Sequence, residues 1–215
     1  DEDIGSREVI RNARELVWYP SEVDTSIRTG WFYHPEEDTD VRTAGELLDI
    51  YLDAVGANAS LLLNIPPDTH GRIAAPDCAS LTELGTKIQQ IFASNVTEKA
   101  KITADSAIAQ HPITQAVDGM ANTYWQAAYG QESDTITLNF PKPQKVSCVV
   151  LGEHLPTGQR IESGEIWADG SKVAEFTVVG HKRICRFAPV EVLTLTIKIT
   201  ASRTEPTLRL LAVYQ

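Results

Sequence analysis

The sequence predicts a two-part fold, α/β followed by all-β, in which helices packed on a parallel strand precede an antiparallel β-sandwich. In residues 41–92 the apolar side chains recur every three or four positions around one short unbroken apolar run, which is typical of an α/β unit. Beyond Asn95 apolar and polar residues alternate, and turn residues recur about every ten positions, which is typical of a sandwich. We therefore divide the chain into residues 1–95 and 96–215, with the boundary between Ser94 and Glu98.

The α/β part contains two predicted helices and one predicted strand. Residues 41–55 carry their apolar side chains on one helical face, and Gly56 is expected to end this helix. Residues 60–65 form a short apolar run before two prolines, which predicts a parallel strand buried on both faces. Asp77 is the expected N-cap of the second helix. The predicted buried face of that helix consists of Leu81, Leu84, Ile88, Ile91 and Phe92.

The second part reads as a series of short strands separated by turns. Strands are predicted over residues 136–140, 146–150, 165–168, 173–179, 183–187, 192–199 and 208–214. Turns are predicted at Pro141-Lys142-Pro143, Pro156-Thr157-Gly158, Asp169-Gly170, Gly180-His181 and Glu205-Pro206. About 110 residues organised in this way are enough for an independently folding sandwich.

Charge and composition exclude several partners. The chain has 19 basic and 29 acidic residues and a formal net charge of -10, which repels phosphate backbones and argues against nucleic acid. No run approaches the roughly 18 apolar residues of a membrane span, and the acidic start lacks the pattern of a secretory signal. At 215 residues the chain is also shorter than a complete (β/α)8 barrel of about 250 residues.

The cysteines give no sign of a metal site or a disulfide framework. Cys78, Cys148 and Cys185 are widely spaced and lack CxxC or Cys/His pairing, so we predict neither a disulfide framework nor a zinc site. A bridge between Cys148 and Cys185 is left open, because both cysteines lie in predicted strands.

One stretch, residues 16–34, concentrates the chemistry-bearing side chains. It begins with an apolar, strand-like segment and then turns polar, and polar groups that follow a parallel strand project into the ligand crevice of α/β proteins. Carboxylates, a guanidinium and an indole together suit a carbohydrate pocket, in which hydroxyls meet charged groups and the apolar sugar face packs on the indole. The candidate binding residues are Glu22, Asp24, Arg28, Trp31 and His34. The alternative is an ion-paired loop, Glu22 or Asp24 with Arg28, with Trp18 and Trp31 in the core.

Two longer motifs resemble a known enzyme family. WYPSEVDTSIRTGWFYH at residues 18–34 and VGANASLLLNIPPDTHGRI at residues 55–73 are similar to the C-terminal part of the catalytic domain of retaining α-L-fucosidases of glycoside hydrolase family 29. The similarity is greatest to the branch that acts on α-1,3/1,4-linked fucose, and it covers roughly residues 4–95. It implies that this part forms the last strands and helices of a (β/α)8-like barrel.

The resemblance also implies roles for individual residues. Trp31 is similar to the family's aromatic residue that closes over the fucose ring, and Glu22, Asp24 and Arg28 resemble the charged residues of the rim. His34 is a weaker match, and Thr29 stands where the family usually has proline. The catalytic Asp nucleophile and Glu acid/base of the family are expected upstream of this segment. A catalytic role for Glu22 stays open, although orienting a neighbour is the favoured one.

The second part has its own resemblance. KITADSA at residues 101–107, AVDG at 116–119, TYW at 123–125 and residues 134–140 are similar to the discoidin-like β-sandwich, a fold that bacterial carbohydrate-binding modules share. The last strand lacks the glutamate of the calcium-binding members, so no metal is expected. Trp125 is interpreted as a core residue.

Together the resemblances imply an α-L-fucosidase component with retaining chemistry and no cofactor. Its expected partners are a fucosylated oligosaccharide or glycoconjugate and the N-terminal part of the same enzyme, without which the chain is expected to be inactive. The expected location is secreted, periplasmic or lysosome-like. The alternative function is a non-catalytic carbohydrate-binding module.

Overall fold

The computed structural model describes residues 7–15, 17 and 19–215, so Leu16 and Trp18 of the motif-bearing stretch lie outside the described residues. The described residues contain the α-helices α1 (Arg7–Asn12), α2 (Ala44–Val55) and α3 (Ala75–Ile91). The strands are β1 (Glu22–Ser26), β2 (Ser60–Asn64), β3 (Lys101–Ala104), β4 (Trp125–Gln126), β5 (Asp134–Gly152), β6 (Ile161–Ala168), β7 (Ser171–Phe176), β8 (Arg183–Ser202), β9 (Thr207–Leu208) and β10 (Leu210–Tyr214). None of these described helices has both the length and the apolar character needed to cross a bilayer.

The predicted parallel strand exists, but helices cover one of its faces. β2 pairs in parallel with β1, from Glu22 opposite Ser60 to Ser26 opposite Asn64. Leu63 packs with side chains of α2 and α3 in a small core. The opposite face of β2 is open, since Leu62 is 52% exposed. Burial on both faces is therefore wrong for the described residues, because they place helices against one side of this two-stranded sheet.

Both helix starts differ from the predicted ones. α2 begins at Ala44 rather than at residue 41, because Thr43 and Glu46 form a reciprocal capping box that fixes the first turn. Its predicted end at Gly56 is confirmed. The N-cap of α3 is Ala74, so the prediction that Asp77 caps this helix is wrong. Asp77 lies in the first helical turn and is buried, because an arginine from the loop after β1 pairs with it.

The all-β part is built on one antiparallel sheet of six strands. Its order is β10-β5-β8-β6-β7, with β3 paired to the first half of β5, and β4 and β9 form a separate short pair. The predicted turn at residues 141–143 is wrong: β5 continues through both prolines, and an irregular register between Asn139 and Gln144 accommodates them. Residues 183–187 and 192–199 likewise belong to one strand, β8.

A β-bulge allows both halves of β5 to face the same core. Ile136 and Leu138, at even positions, and Val149 and Leu151, at odd positions, all join the main hydrophobic cluster. The change of parity occurs at the register shift between Val146 and Cys148. Trp125 is fully buried in this cluster, as predicted.

The same bulge determines where the cysteines point. Cys148 faces Ile91 and Phe92 at the end of α3, whereas Cys185 faces the main core. Their thiols therefore lie on opposite sides of the sheet, and both cysteines are free. The bridge that the sequence left open does not form.

The α/β part and the all-β part also meet at a second place. Asn58 adopts a left-handed backbone conformation with φ of 71°, and its Oδ1 accepts a hydrogen bond of 2.6 Å from the His181 backbone N–H. Gly180 packs directly against the Asn58 side chain, with no room for a Cβ. This contact holds the loop before β2 against the turn before β8.

Candidate functional site

The carboxyl ends of β1 and β2 lie side by side, and the chain leaves β1 into residues 27–38, which we call the Trp31 loop. The Asn64 amide, at the end of β2, donates to the Ser26 hydroxyl at 3.1 Å and to the Trp31 carbonyl at 3.0 Å. The backbone of Trp31 is therefore hydrogen-bonded to the end of β2, and the same Asn64 amide links that end to β1. This is the edge at which α/β proteins place their ligands.

The Trp31 indole lies at the surface. It is 51% exposed, and the neighbouring Phe32 is 77% exposed. The alternative in which Trp31 is a core residue is therefore wrong, whereas its companion Trp18 lies outside the described residues. An exposed indole at the end of parallel strands can stack on the apolar face of a sugar ring.

Arg28, in contrast, is enclosed. Its side chain has no exposed surface and forms a two-pronged pair with Asp77, from Nε to Oδ2 at 3.1 Å and from Nη2 to Oδ1 at 2.8 Å. Nη2 also donates to Asp38 Oδ1 at 2.7 Å, and Nη1 donates to the His34 carbonyl at 3.3 Å. Paired, hydrogen-bonded charges are the form in which a guanidinium can be buried.

The electrostatics of this cluster favour a permanently charged arginine. Burial acts to lower the pKa of Arg28, but the hydrogen bonds that Arg28 donates to Asp77 and Asp38 outweigh it and raise that pKa. The Tyr33 ring lies 4.8 Å from the guanidinium carbon. Desolvation, together with the nearby Asp38 carboxylate, raises the pKa of Tyr33.

Glu22 and Asp24 lie within β1 rather than beyond its end. Both are exposed and share the open face of the strand with Ser26, since side chains alternate along a strand. Within the described part of the chain, neither carboxylate takes part in a hydrogen bond or ion pair, and Arg28 pairs with Asp77 and Asp38 instead. The alternative of an ion pair between Glu22 or Asp24 and Arg28 is therefore wrong.

The His34 imidazole is half exposed, and its Nδ1 lies 4.0 Å from Glu36 Oε1. The sheet edge thus brings together Arg28, Trp31 and the backbone of His34, while Glu22 and Asp24 lie further back along the strand. Across the residues described, no group of three or more His, Cys, Asp or Glu is arranged to hold a metal ion.

Sequence reasoning did not assign Asp38 and Asp77 to this site. Asp77 is 49 positions from Arg28, and a single sequence offers no signal for a pair at that separation. Asp38 lies ten positions from Arg28 and could have been proposed on proximity alone.

Each part of the chain matches a different family model. Residues 7–90 match the family model described as alpha-L-fucosidase. Residues 95–208, more than half of the chain, match the model of a domain of unknown function, DUF7402. An Arabidopsis thaliana protein described as alpha-L-fucosidase 1 is 32% identical over 92% of this chain, which corresponds to 41% of that protein.

Solved structures extend this similarity to the fold. A Ruminococcus gnavus GH29 fucosidase in complex with fucose is 28% identical and superposes with a TM-score of 0.86, covering 94% of this chain and 42% of that one. A chitosan-binding module from a Paenibacillus enzyme, 21% identical with a TM-score of 0.51 over 56% of this chain, shares the fold alone.

The chain spans about two fifths of the curated relatives that it matches. The fucosidase matches in sequence and structure correspond to one region of those larger proteins. The chain therefore belongs to the DUF7402 family through residues 95–208 and, with residues 7–90, corresponds to the C-terminal region of the alpha-L-fucosidase family, GH29.

Proposed function

We propose that this chain is the C-terminal part of an α-L-fucosidase that removes terminal α-linked L-fucose from oligosaccharides or glycoconjugates. The observation that carries the proposal is the exposed Trp31 indole, which Asn64 anchors at the carboxyl ends of two parallel strands. The apolar face of a deoxyhexose, with its methyl group, suits such an indole. Similarity to the branch that cleaves α-1,3/1,4-linked fucose makes those linkages the first substrates to test.

The proposed reaction retains the anomeric configuration. A carboxylate attacks the anomeric carbon while a carboxylic acid protonates the departing oxygen, and water then hydrolyses the covalent intermediate with the second residue acting as base. Both groups are assigned to the upstream part of the enzyme. Glu22 and Asp24 are proposed to bind or orient from the wall of the pocket, because their carboxylates face the open side of β1.

The upstream part of the enzyme is also the proposed partner of the open sheet. β1 pairs with β2 on one edge, and no other described strand pairs with its second edge. A barrel needs further parallel strands at that edge, so the isolated chain is expected to lack activity. The all-β part, residues 96–215, is proposed to be a discoidin-like domain that braces the barrel or binds glycan, and the enzyme is expected in a secreted, periplasmic or lysosome-like location.

The test is complementation. The chain, the upstream part of its protein and their mixture are each assayed for release of p-nitrophenol from the aryl α-L-fucoside. Turnover in the mixture and in neither piece alone supports the proposal. Absence of turnover from the mixture, together with glycan binding by residues 96–215 alone, would favour the carbohydrate-binding alternative.

A further inference from the structure

The loop that presents Trp31 is held by a buried charge cluster at the start of α3, which we call the Arg28 cluster: Arg28, Tyr33, Asp38 and Asp77. We propose that this cluster positions the Trp31 indole for sugar binding without itself contacting the sugar. The proposal rests on the proposed function, since it treats Trp31 as part of the fucose pocket. It also changes the role of Arg28 from a rim residue that binds substrate to a positioning residue.

Arg28 has almost no donor left for a ligand. A guanidinium carries five N–H groups. Asp77 takes the Nε–H and one N–H of Nη2, Asp38 takes the second N–H of Nη2, and the His34 carbonyl takes one from Nη1. With the residue 1% exposed and the Tyr33 ring against the guanidinium, a sugar hydroxyl has no route to the remaining N–H.

The contacts of the cluster bracket Trp31 along the chain. Arg28, which precedes Trp31, donates hydrogen bonds to Asp77 of α3. The same guanidinium also donates to the His34 carbonyl and the Asp38 carboxylate, which follow Trp31. Asn64 holds the Trp31 carbonyl between these points. The loop is thus fixed to helix α3, to strand β2 and to itself, and the indole is the group that these attachments leave exposed.

This arrangement lowers the cost of binding because the loop is already ordered. A loop that has to be ordered when the ligand arrives loses affinity, whereas a preorganised loop does not. Loosening the cluster should therefore weaken sugar binding with little effect on the reacting groups. In kinetic terms KM rises while kcat is nearly unchanged, which is the pattern for a contact that is equally strong in the ground and transition states.

The two carboxylates provide variants of graded severity. The Asp77 side chain is fully buried, so Asp77→Asn leaves Arg28 with a poorly matched partner and can compromise folding. The Asp38 side chain is 37% exposed, so Asp38→Asn removes one carboxylate charge from the neighbourhood of Arg28 and weakens that contact, while the buried pair with Asp77 stays in place. Asp53→Asn, at an exposed position of α2, removes the same charge elsewhere and is the matched control.

The experiment uses the intact enzyme labelled with 5-fluorotryptophan, in which Trp31→Phe assigns the Trp31 resonance and Trp167→Phe assigns an internal reference in the all-β part. We expect Asp38→Asn and Asp77→Asn to broaden or split the Trp31 resonance while that of Trp167 is unchanged. For the aryl fucoside, we expect KM of Asp38→Asn to rise about five- to tenfold with kcat within about twofold. Asp53→Asn should behave as wild type in both assays.

Each outcome decides the proposal. A wild-type Trp31 resonance and KM in folded Asp38→Asn would overturn it, as would equal perturbation of Trp31 and Trp167, which would indicate a general loss of stability. If Asp77→Asn does not fold, Asp38→Asn alone decides. If the wild-type enzyme does not release p-nitrophenol, the proposed function fails, while the fluorine spectra still test whether the cluster positions Trp31.

Discussion

The Glu153 side chain is fully buried in the all-β part. Its carboxylate links the loop before β6 to the turn before β8. Its Oε1 accepts backbone N–H groups from Arg160 at 2.7 Å and Ile161 at 2.9 Å, and its Oε2 accepts that of Gly180 at 2.7 Å. We predict that Glu153→Gln destabilises the fold moderately and that Glu153→Ala destabilises it severely.

The size of each effect follows from the three N–H groups. A glutamine can still accept from Arg160 and Ile161 through its carbonyl oxygen, but its NH2 group then faces the Gly180 N–H, donor against donor. One buried donor left without a partner costs about 1–3 kcal/mol of unfolding free energy. Alanine leaves all three backbone N–H groups without an acceptor, which lowers the free energy of unfolding by on the order of 3 kcal/mol or more. This is a large fraction of the stability of a typical domain.

The pH dependence gives the prediction its sharpest test. Burial is the largest influence and raises the pKa of Glu153, against the opposing effect of the three N–H groups. Below the ordinary glutamate pKa of about 4.3 the carboxyl is neutral in both the folded and unfolded states, so the contribution of Glu153 to the stability of the wild type is fully present there. As the pH rises through the folded-state pKa, ionising the buried carboxyl costs stability in the wild type but not in Glu153→Gln.

The stability advantage of the wild type over Glu153→Gln should therefore be largest near pH 4 and should shrink toward pH 7. Urea unfolding followed by tryptophan fluorescence at pH 4, 5.5 and 7 measures this difference. Glu191→Gln, at an exposed position of β8, is the matched control and should show no such trend. If the advantage instead grows with pH, the N–H groups outweigh burial and the reasoning is refuted.

Four further predictions concern the proposed sugar pocket and two loops of the all-β part. In the intact enzyme Trp31→Ala should raise KM for the aryl fucoside at least tenfold, and Phe32→Ala, its exposed neighbour, should change it less than threefold. Glu22→Gln should lower kcat/KM about 10- to 100-fold and keep the alkaline limb of the pH–rate profile, which reports the pKa of the general acid. If the variant loses that limb, Glu22 is itself the general acid. Gly180→Ala should lower the melting temperature by several degrees, because φ is 57° and the new Cβ would clash with the Asn58 side-chain amide. Hydrogen bonds from the Gly130 backbone N–H and then the Thr204 hydroxyl lower the pKa of Glu205 to about 2. Glu205→Gln should therefore lower the free energy of unfolding by about 1 kcal/mol at neutral pH, after solvent screening is taken into account. Urea unfolding should show this difference disappearing as the pH falls from about 4 to 2.

The elements that local pattern determines could be predicted from the sequence. The order of α2, β2 and α3 follows from apolar periodicity, and the end of α2 at Gly56 and the parallel pairing of β2 are both confirmed. The strands of the all-β part follow from alternation, which depends on neighbouring residues alone. The division at residues 95 and 96 stays a prediction.

What could not be predicted depends on contacts between distant residues. Asp77 looks like a helix cap in sequence, and its burial follows from its pairing with Arg28, which comes from the loop after β1. The prolines at 141 and 143 indicate a turn. However, β8 pairs with β5 on both sides of these prolines, and β5 accommodates them by a shift of register. The binding roles of Glu22, Asp24, Trp31 and His34 are still predictions, because a role in binding is tested by a ligand.

The residues on the open face of β1 and β2 favour a polar pocket over an interface that is covered by an apolar surface. Leu62 lies on that face beside Asp24, its cross-strand neighbour, and Glu22 lies one alternation away. An apolar surface docking there would cover Leu62 but would also bury two carboxylates that have no partner among the described residues, at a cost of several kcal/mol. A polar cavity, in which hydroxyls and upstream donors meet those carboxylates, avoids this cost. The open face of β1 and β2 is therefore chemically suited to be one wall of a sugar site.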